Sequence, residues 1–166
     1  MLRPIIIRQA ETRDRAALES CFAELQGFER SIESNRVDPR MIARDYIGDL
    51  ITDCERLRGA IFVAESDDQI IGFASVLVDF RSDGPIEEHR EHGYVTDLYV
   101  RDTVRRSGVG SRLMRAVEAH ALARGATRLR VGVLARNHVA HALYLKLGYR
   151  DYEVTLQKEL GRGVPE

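Results

Sequence analysis

Read from its N-terminus, the chain alternates short runs of apolar residues with longer stretches in which apolar positions recur every three or four residues. "PIIIRQA" is a compact β-branched run and predicts a first strand. Beyond it, Thr12 offers an N-cap to a helix carrying Leu18, Cys21, Phe22, Leu25 and Phe28 on one stripe. Asp38-Pro39 sets a capping carboxylate before a first-turn proline, and Ile42, Tyr46, Leu50, Cys54 and Leu57 then follow at helical spacing up to Gly59, which can end that helix. "AIFVAE" and "IIGFASVLVDF", separated by the polar "SDDQ", read as a hairpin, and the loop "RSDGPIEEHREH" leads to a further strand, "GYVTDLYV". These three strands form an antiparallel meander. A helix from about Gly108 to Arg124 buries Leu113, Val117 and Ala121 and stops at Gly125. "TRLRVGVL" is then a strand, "NHVAHALYLKLG" a short helix, and "YRDYEVTLQKEL" a last strand.

The order β-αα-βββ-α-β-α-β defines an α/β domain with a mixed, mostly antiparallel sheet. It spans residues 1–160, with 161–166 as a loose tail, and no linker or repeat interrupts it. The strand-helix-strand unit around the 108–124 helix is right-handed by default, so its two strands run parallel. A length of 166 residues suits one core and not two.

Composition narrows the function mainly by exclusion. With 44% apolar and 31% charged residues the chain is an ordinary globular protein. A net charge of −1 argues against a nucleic-acid binder. No run is long enough to span a membrane and the N-terminal apolar run is too short for a signal peptide, so a cytoplasmic protein is expected. Cys21 and Cys54 fall on core-facing helical positions without metal or disulfide spacing. His138, His141 and His120 have no cysteine or carboxylate beside them to complete a metal set, so solvated or capping roles and no metal are expected. His89 and His92 flank the loop that leads to the central strand, within reach of a substrate mouth.

The chemistry-bearing stretch is "RRSGVG", Arg105 to Gly110, where a strand hands over to a helix. Gly108 and Gly110 let a ligand approach the main chain, the helix start presents unpaired N–H groups, and Arg105 and Arg106 add cationic donors. The turn is built to cradle an anion such as a pyrophosphate, although a Gly-x-Gly here can also be a plain tight turn. A P-loop would need Lys-Ser/Thr after Gly110, and the chain has Ser111-Arg112. A dinucleotide fold would need a third glycine and an acid closing the next strand, and has neither.

"LYVRDTVRRSGVGSRLM" resembles the acyl-CoA-binding motif of the GNAT superfamily of N-acetyltransferases, Arg/Gln-x-x-Gly-x-Gly/Ala, through Arg105, Gly108 and Gly110. "NHVAHALYLKLGY" resembles its second hallmark through Asn137, Ala140, Tyr144, Gly148 and Tyr149. The resemblance implies a central parallel strand pair splayed to hold coenzyme A, main-chain groups of Leu98 and Val100 along the pantetheine arm, and amides of Arg106, Gly108, Gly110 and Ser111 on the pyrophosphate. Asn137 would contact the arm and Tyr144 would protonate the departing thiolate. Some relatives carry a glutamate two residues before the position of Leu98, where this chain has Thr96; Asp97 is adjacent but faces the other way unless a bulge re-aims it. The base is therefore Asp97 or a water relay, and Asp97 can equally be a carboxylate bonded to its neighbours.

The implied activity is direct acetyl transfer from acetyl-CoA to a small-molecule or peptide primary amine in a ternary complex. The alternatives are a non-catalytic acyl-CoA-binding regulatory domain and an acyltransferase with another acyl group or a hydroxyl acceptor. Asp83, Glu87, Glu88, Glu91, Glu29, Glu33 and Asp38 lie in segments that border the acceptor cleft in this family and would favour a cationic amine. Homodimers are frequent among the relatives, and one is expected here on that basis alone.

Overall fold

In a computed structural model, the structure describes residues 4–81 and 91–160. Strand β1 (Ile6–Gln9), helices α1 (Arg15–Ile32) and α2 (Pro39–Arg56), strands β2 (Ala60–Ser66), β3 (Gln69–Arg81) and β4 (Glu91–Val100), helix α3 (Val109–Ala123), strand β5 (Leu129–Val131) and helix α4 (His138–Lys146) follow in that order. The five strands lie side by side in sequence order. β1 to β4 are antiparallel neighbours, and β5 joins β4 in parallel.

The sheet divides the interior into two layers. On one face α1 and α2 bury Leu18, Phe22, Ile47 and Leu50 against Val63, Phe73 and Tyr99. On the other, α3 buries Val109, Leu113, Met114 and Val117 against Ala74, Val76 and Val95, and Tyr144 of α4 joins that cluster. β3 is covered on both faces, which is why its sequence is a nearly continuous apolar run. Cys21 and Cys54 are buried and unbridged, as expected.

Local chemistry explains most boundaries. The Asp38 carboxylate accepts from the Arg40 amide at the start of α2, with Pro39 in the first turn. Asp67 and Asp68 both take positive φ, 55° and 58°, and so form the tight turn between β2 and β3. Four features differ from expectation. Thr12 opens a short 3-10 turn, Thr12–Asp14, rather than capping α1; the Asp14 carboxylate accepts from the Glu11 amide there. The left-handed residue closing α2 is Arg58, φ 50°, and not Gly59. Gly59 is required for another reason: a Cβ would lie 2.3 Å from the Val76 carbonyl oxygen. At the C-terminus, β5 holds only three residues of the eight predicted, and the segment predicted as a last strand, 149–160, forms neither helix nor ladder. The loop acids Asp83, Glu87 and Glu88, together with His89 and the tail 161–166, fall outside the described residues.

Candidate active site

Strand β4 is where the site begins. Its parallel ladder with β5 covers only Gly93, Tyr94 and Val95, paired with Leu129, Arg130 and Val131. Past Val95, β4 keeps β3 on one side as far as Val100, while its other edge has parted from β5. The two strands therefore diverge along Leu98 and Val100, and the main-chain groups on that side of β4 face a gap rather than a neighbour. An extended, amide-containing chain can pair with such an edge.

The gap leads to the glycine turn. Arg106 (φ 62°) and Gly108 (φ 83°) both take the left-handed conformation, and Gly108 is the N-cap of α3. The Arg112 amide donates to the Gly108 carbonyl at 3.1 Å, so the amides of Val109, Gly110 and Ser111 precede the helical ladder. An added Cβ at Gly108 would meet no atom within 4 Å, so the space before these amides is open. At Gly110 it would meet Leu143 at 3.3 Å, so α3 starts tight against α4. Arg106 is exposed, whereas the Arg105 guanidinium donates to the Val100 carbonyl at 3.0 Å, pairs with Asp102 at 2.6 Å and lies 5.1 Å from the Phe28 ring centre. Arg105 thus clamps the turn to the end of β4 and to α1, and Arg106 offers the accessible charge.

Tyr144 projects from α4 into the sheet and is buried. Burial, reinforced by the Glu29 and Asp97 carboxylates, pushes its phenol up to about 12, so it holds its proton at neutral pH. The Asn137 side chain accepts from the Ala140 amide at 3.2 Å and so caps the helix that carries Tyr144. Arg136 reaches across to Glu33 at 2.7 Å and to the Ile32 carbonyl, tying the α4 entrance to the end of α1.

Beneath Tyr144 lies a buried polar group that the sequence reading only half anticipated. Ser75 pairs with Asp97 but the next residue, Val76, pairs with Val95, so Thr96 is an extra residue in β4. This bulge turns Asp97 toward α1 and α2. There it is 6% exposed and accepts from the Tyr46 hydroxyl at 2.9 and 3.1 Å and from the Ser75 hydroxyl at 2.8 Å. The Thr96 hydroxyl lies 2.6 Å from that of Ser75. Because Ser75 gives its only proton to the carboxylate, Thr96 must donate to Ser75. Desolvation raises the Asp97 pKa against the hydrogen bonds of Ser75, Thr96 and Tyr46. Sequence reasoning missed Ser75 and placed Tyr46 only on a core stripe; the available signal was one serine within the apolar run of β3. Tyr46 also stacks on Phe22, their ring centres 4.0 Å apart.

Two of the expected rim acids among the described residues are paired with arginines. Glu33 is paired with Arg136, and Asp38 caps α2 and pairs with Arg40. Glu29 remains half-buried, its pKa raised by desolvation despite Arg36 at 3.6 Å. Three of the described histidines are engaged elsewhere. His92, expected within reach of the mouth, is 3% exposed and packs edge-on to Phe80. The His120 ring contacts the Arg58 carbonyl at 3.1 Å, and His141 pairs with Asp151 at 2.6 Å. Among the described residues no three His, Cys, Asp or Glu side chains come together as a metal site.

The chain has relatives among known N-acetyltransferases. The chain is 28% identical over 154 residues to a D-amino-acid N-acetyltransferase of Saccharomyces cerevisiae, covering 93% of this chain and 90% of the relative. It is 25% identical over 151 residues to a thialysine N-epsilon-acetyltransferase of Bos taurus, covering 89% and 85%. A crystal structure of a predicted acetyltransferase from Clostridium acetobutylicum with acetyl-CoA superposes with a TM-score of 0.72 at 22% identity, covering 94% of this chain and 96% of that one. Residues 17–149 match the pattern of the Acetyltransferase (GNAT) family, and with the two glycine-turn and helix motifs seated on a splayed β4–β5 pair, the chain belongs to that family of N-acetyltransferases.

Proposed function

We propose that the protein transfers an acetyl group from acetyl-CoA to a primary amine of a small molecule or peptide, directly and within a ternary complex. The observation that carries this reading is the gap beside Leu98 and Val100 leading straight to the open amides of α3. Acetyl-CoA supplies the thioester and a thiolate that can leave. The amides of Arg106, Gly108, Gly110 and Ser111, with the positive end of the α3 dipole and the Arg106 guanidinium, suit the pyrophosphate. The β4 edge suits the pantetheine amides, and Asn137 at the start of α4 is the proposed side-chain contact to them.

The remaining residues divide the proton traffic. Tyr144 protonates the departing sulfur as the carbon–sulfur bond breaks. Asp97 receives the proton shed by the amine as the carbon–nitrogen bond forms, through the hydroxyls of Thr96 and Ser75, whose hydrogen bonds already run in that direction. Burial makes Asp97 a stronger base than an ordinary carboxylate. Glu29, near both Asp97 and Tyr144, draws the cationic form of the acceptor inward, and the ammonium gives up one proton to solvent before its neutral nitrogen attacks. The yeast and bovine relatives are named for amine-bearing amino acids, which supports a small amine of that kind. No helix among the described residues is long and apolar enough to cross a membrane, and the cytoplasm is the compartment that fits this chemistry. A homodimer is the proposed assembly.

Calorimetric titration with acetyl-CoA tests the reading, with Gly108→Trp as control. The indole would enter the open space before the α3 amides, so saturable binding by the native protein should vanish in the variant. A native protein that takes up no acetyl-CoA overturns the proposal. Thiol release with a panel of small primary amines then identifies the acceptor.

A further inference from the structure

The last turn of α1 carries Glu29, the acid that the proposed reaction gives to the acceptor, and that turn is gripped from both flanks by elements of the coenzyme site. On one flank the Arg105 guanidinium of the glycine turn lies 5.1 Å from the Phe28 ring centre. On the other, Arg136 donates through Nε and Nη2 to one Glu33 oxygen, at 3.0 and 2.7 Å, and through Nη2 to the Ile32 carbonyl. Glu29 lies between the two grips in the chain, close enough to Asp97 and Tyr144 for their charges and protons to be coupled.

Arg136 is built to fix this turn rather than to strengthen the fold. Its own anchor is stiff, because the Asn137 amide donates to the Leu134 carbonyl at 2.8 Å and the Asn137 side chain caps α4. The Ile32 carbonyl belongs to the end of α1, where carbonyls lack helical partners and the dipole favours a cation. From Glu33 the restraint passes back to Glu29. The Glu33 amide donates to the Glu29 carbonyl at 2.8 Å, the Arg36 amide donates to the Glu33 carbonyl at 3.3 Å, and the Arg36 guanidinium lies 3.6 Å from the Glu29 carboxylate. An ion pair whose side chains are 64% and 41% exposed adds little to global stability. A planar fork that makes three hydrogen bonds does set the orientation of what it holds.

We propose that Arg136 is a positioning residue for the acceptor, fastening the last turn of α1 to the start of α4 so that Glu29 and Tyr144 meet the same amine at a fixed separation. The inference rests on the reading of Glu29 as the carboxylate that draws the acceptor inward, and it names the residue that keeps Glu29 there. Without Arg136 the end of α1 loses its hold on the α4 side and Glu29 can swing away from the amine. The glycine turn and the β4 edge lie on other elements, and Asn137 keeps both of its own hydrogen bonds, so the loss falls on the acceptor and not on the coenzyme.

Steady-state thiol release tests this, with acetyl-CoA held at saturation and each of a panel of small primary amines varied. Arg136→Ala should raise the KM of the amines that the native protein uses about tenfold or more, with kcat and the calorimetric affinity for acetyl-CoA changed by less than about threefold. Arg136→Lys, which keeps the charge without the fork, should recover part of the loss. Glu33→Ala should raise the same KM, and the Arg136→Ala, Glu33→Ala double variant should be no worse than Arg136→Ala alone, because both break one contact. An unaltered amine KM in Arg136→Ala, or a rise matched by an equal loss of acetyl-CoA affinity, overturns the proposal. Glu29→Gln separates this failure from that of the underlying reading: if it leaves the amine KM unaltered, the acceptor role of Glu29 falls and the inference falls with it.

Discussion

At the scale of single residues, the proposed mechanism gives its two proton tasks to groups in different environments. Tyr144 is kept neutral by burial and by the two nearby carboxylates, so Tyr144→Phe should remove the acid without touching the coenzyme cradle. The expected result is a loss of kcat of about 10²–10⁴-fold with acetyl-CoA affinity unchanged by calorimetry. Ser75→Ala cuts the hydroxyl line between Thr96 and Asp97 while leaving Tyr46 on the carboxylate. It should lower kcat and leave KM for acetyl-CoA unaffected, and Ser75→Thr should restore part of the rate. Because the base must be ionised, kcat/KM should fall on the acid side through a pKa above the ordinary aspartate value of about 3.9. That limb should disappear from the pH profile of Ser75→Ala. An unchanged profile would separate Asp97 from catalysis and leave it a carboxylate that braces α2 against the sheet.

At the scale of elements, the fold repays close packing with little tolerance. α2 ends against β3, and Gly59 lies where a side chain would strike the Val76 carbonyl. Gly59→Ala should therefore cost at least about 2 kcal/mol, read as a lower midpoint in thermal unfolding. Elements carrying a strong period were legible in the sequence: α1, the Asp38-Pro39 start of α2, the β2–β3 hairpin and the buried stripe of α3. What escaped depends on neighbours rather than on local pattern. The bulge at Thr96 was raised as one way to re-aim Asp97 but could not be placed from the sequence, because one extra residue in a strand shows only against the register of its partner. Ser75 looks like an interruption of an apolar run until the bulge brings Asp97 opposite it. The glycine turn and Tyr144 were legible as motifs, whereas the part Arg105 plays, clamping rather than offering charge, follows from Asp102 and Phe28 being close by. The last segment has the alternation of a strand and yet forms no ladder, because alternation does not supply a partner edge.

At the scale of the whole molecule, two buried aspartates pull the pH dependence of stability in opposite directions, and one of them also separates stability from activity. The Arg8 guanidinium, 2.7 Å away, holds Asp14 below the usual carboxylate range. A depressed folded pKa means the unfolded chain binds more protons, so this stabilisation is present above about pH 4 and is lost as pH falls through the folded value. Asp97 has the reverse sign. Its folded pKa is raised, so its contribution is complete below the unfolded value and is lost as pH rises through the folded one. The fold therefore favours the protonated form of Asp97, and ionising it, as the proposed base role requires, costs stability. Asp97→Asn removes the charge and can keep the network satisfied, its carbonyl accepting from Tyr46 and its amide donating to Ser75, which then turns its proton to Thr96. Thermal unfolding at pH 7 should find this variant at least as stable as the native protein, while acetyl transfer falls about 10²-fold or more. The advantage should shrink as pH drops and the native Asp97 takes up its proton. A variant that unfolds at a lower temperature across the whole pH range would mean that the charge itself holds α2 in place, and the carboxylate would then belong to the scaffold.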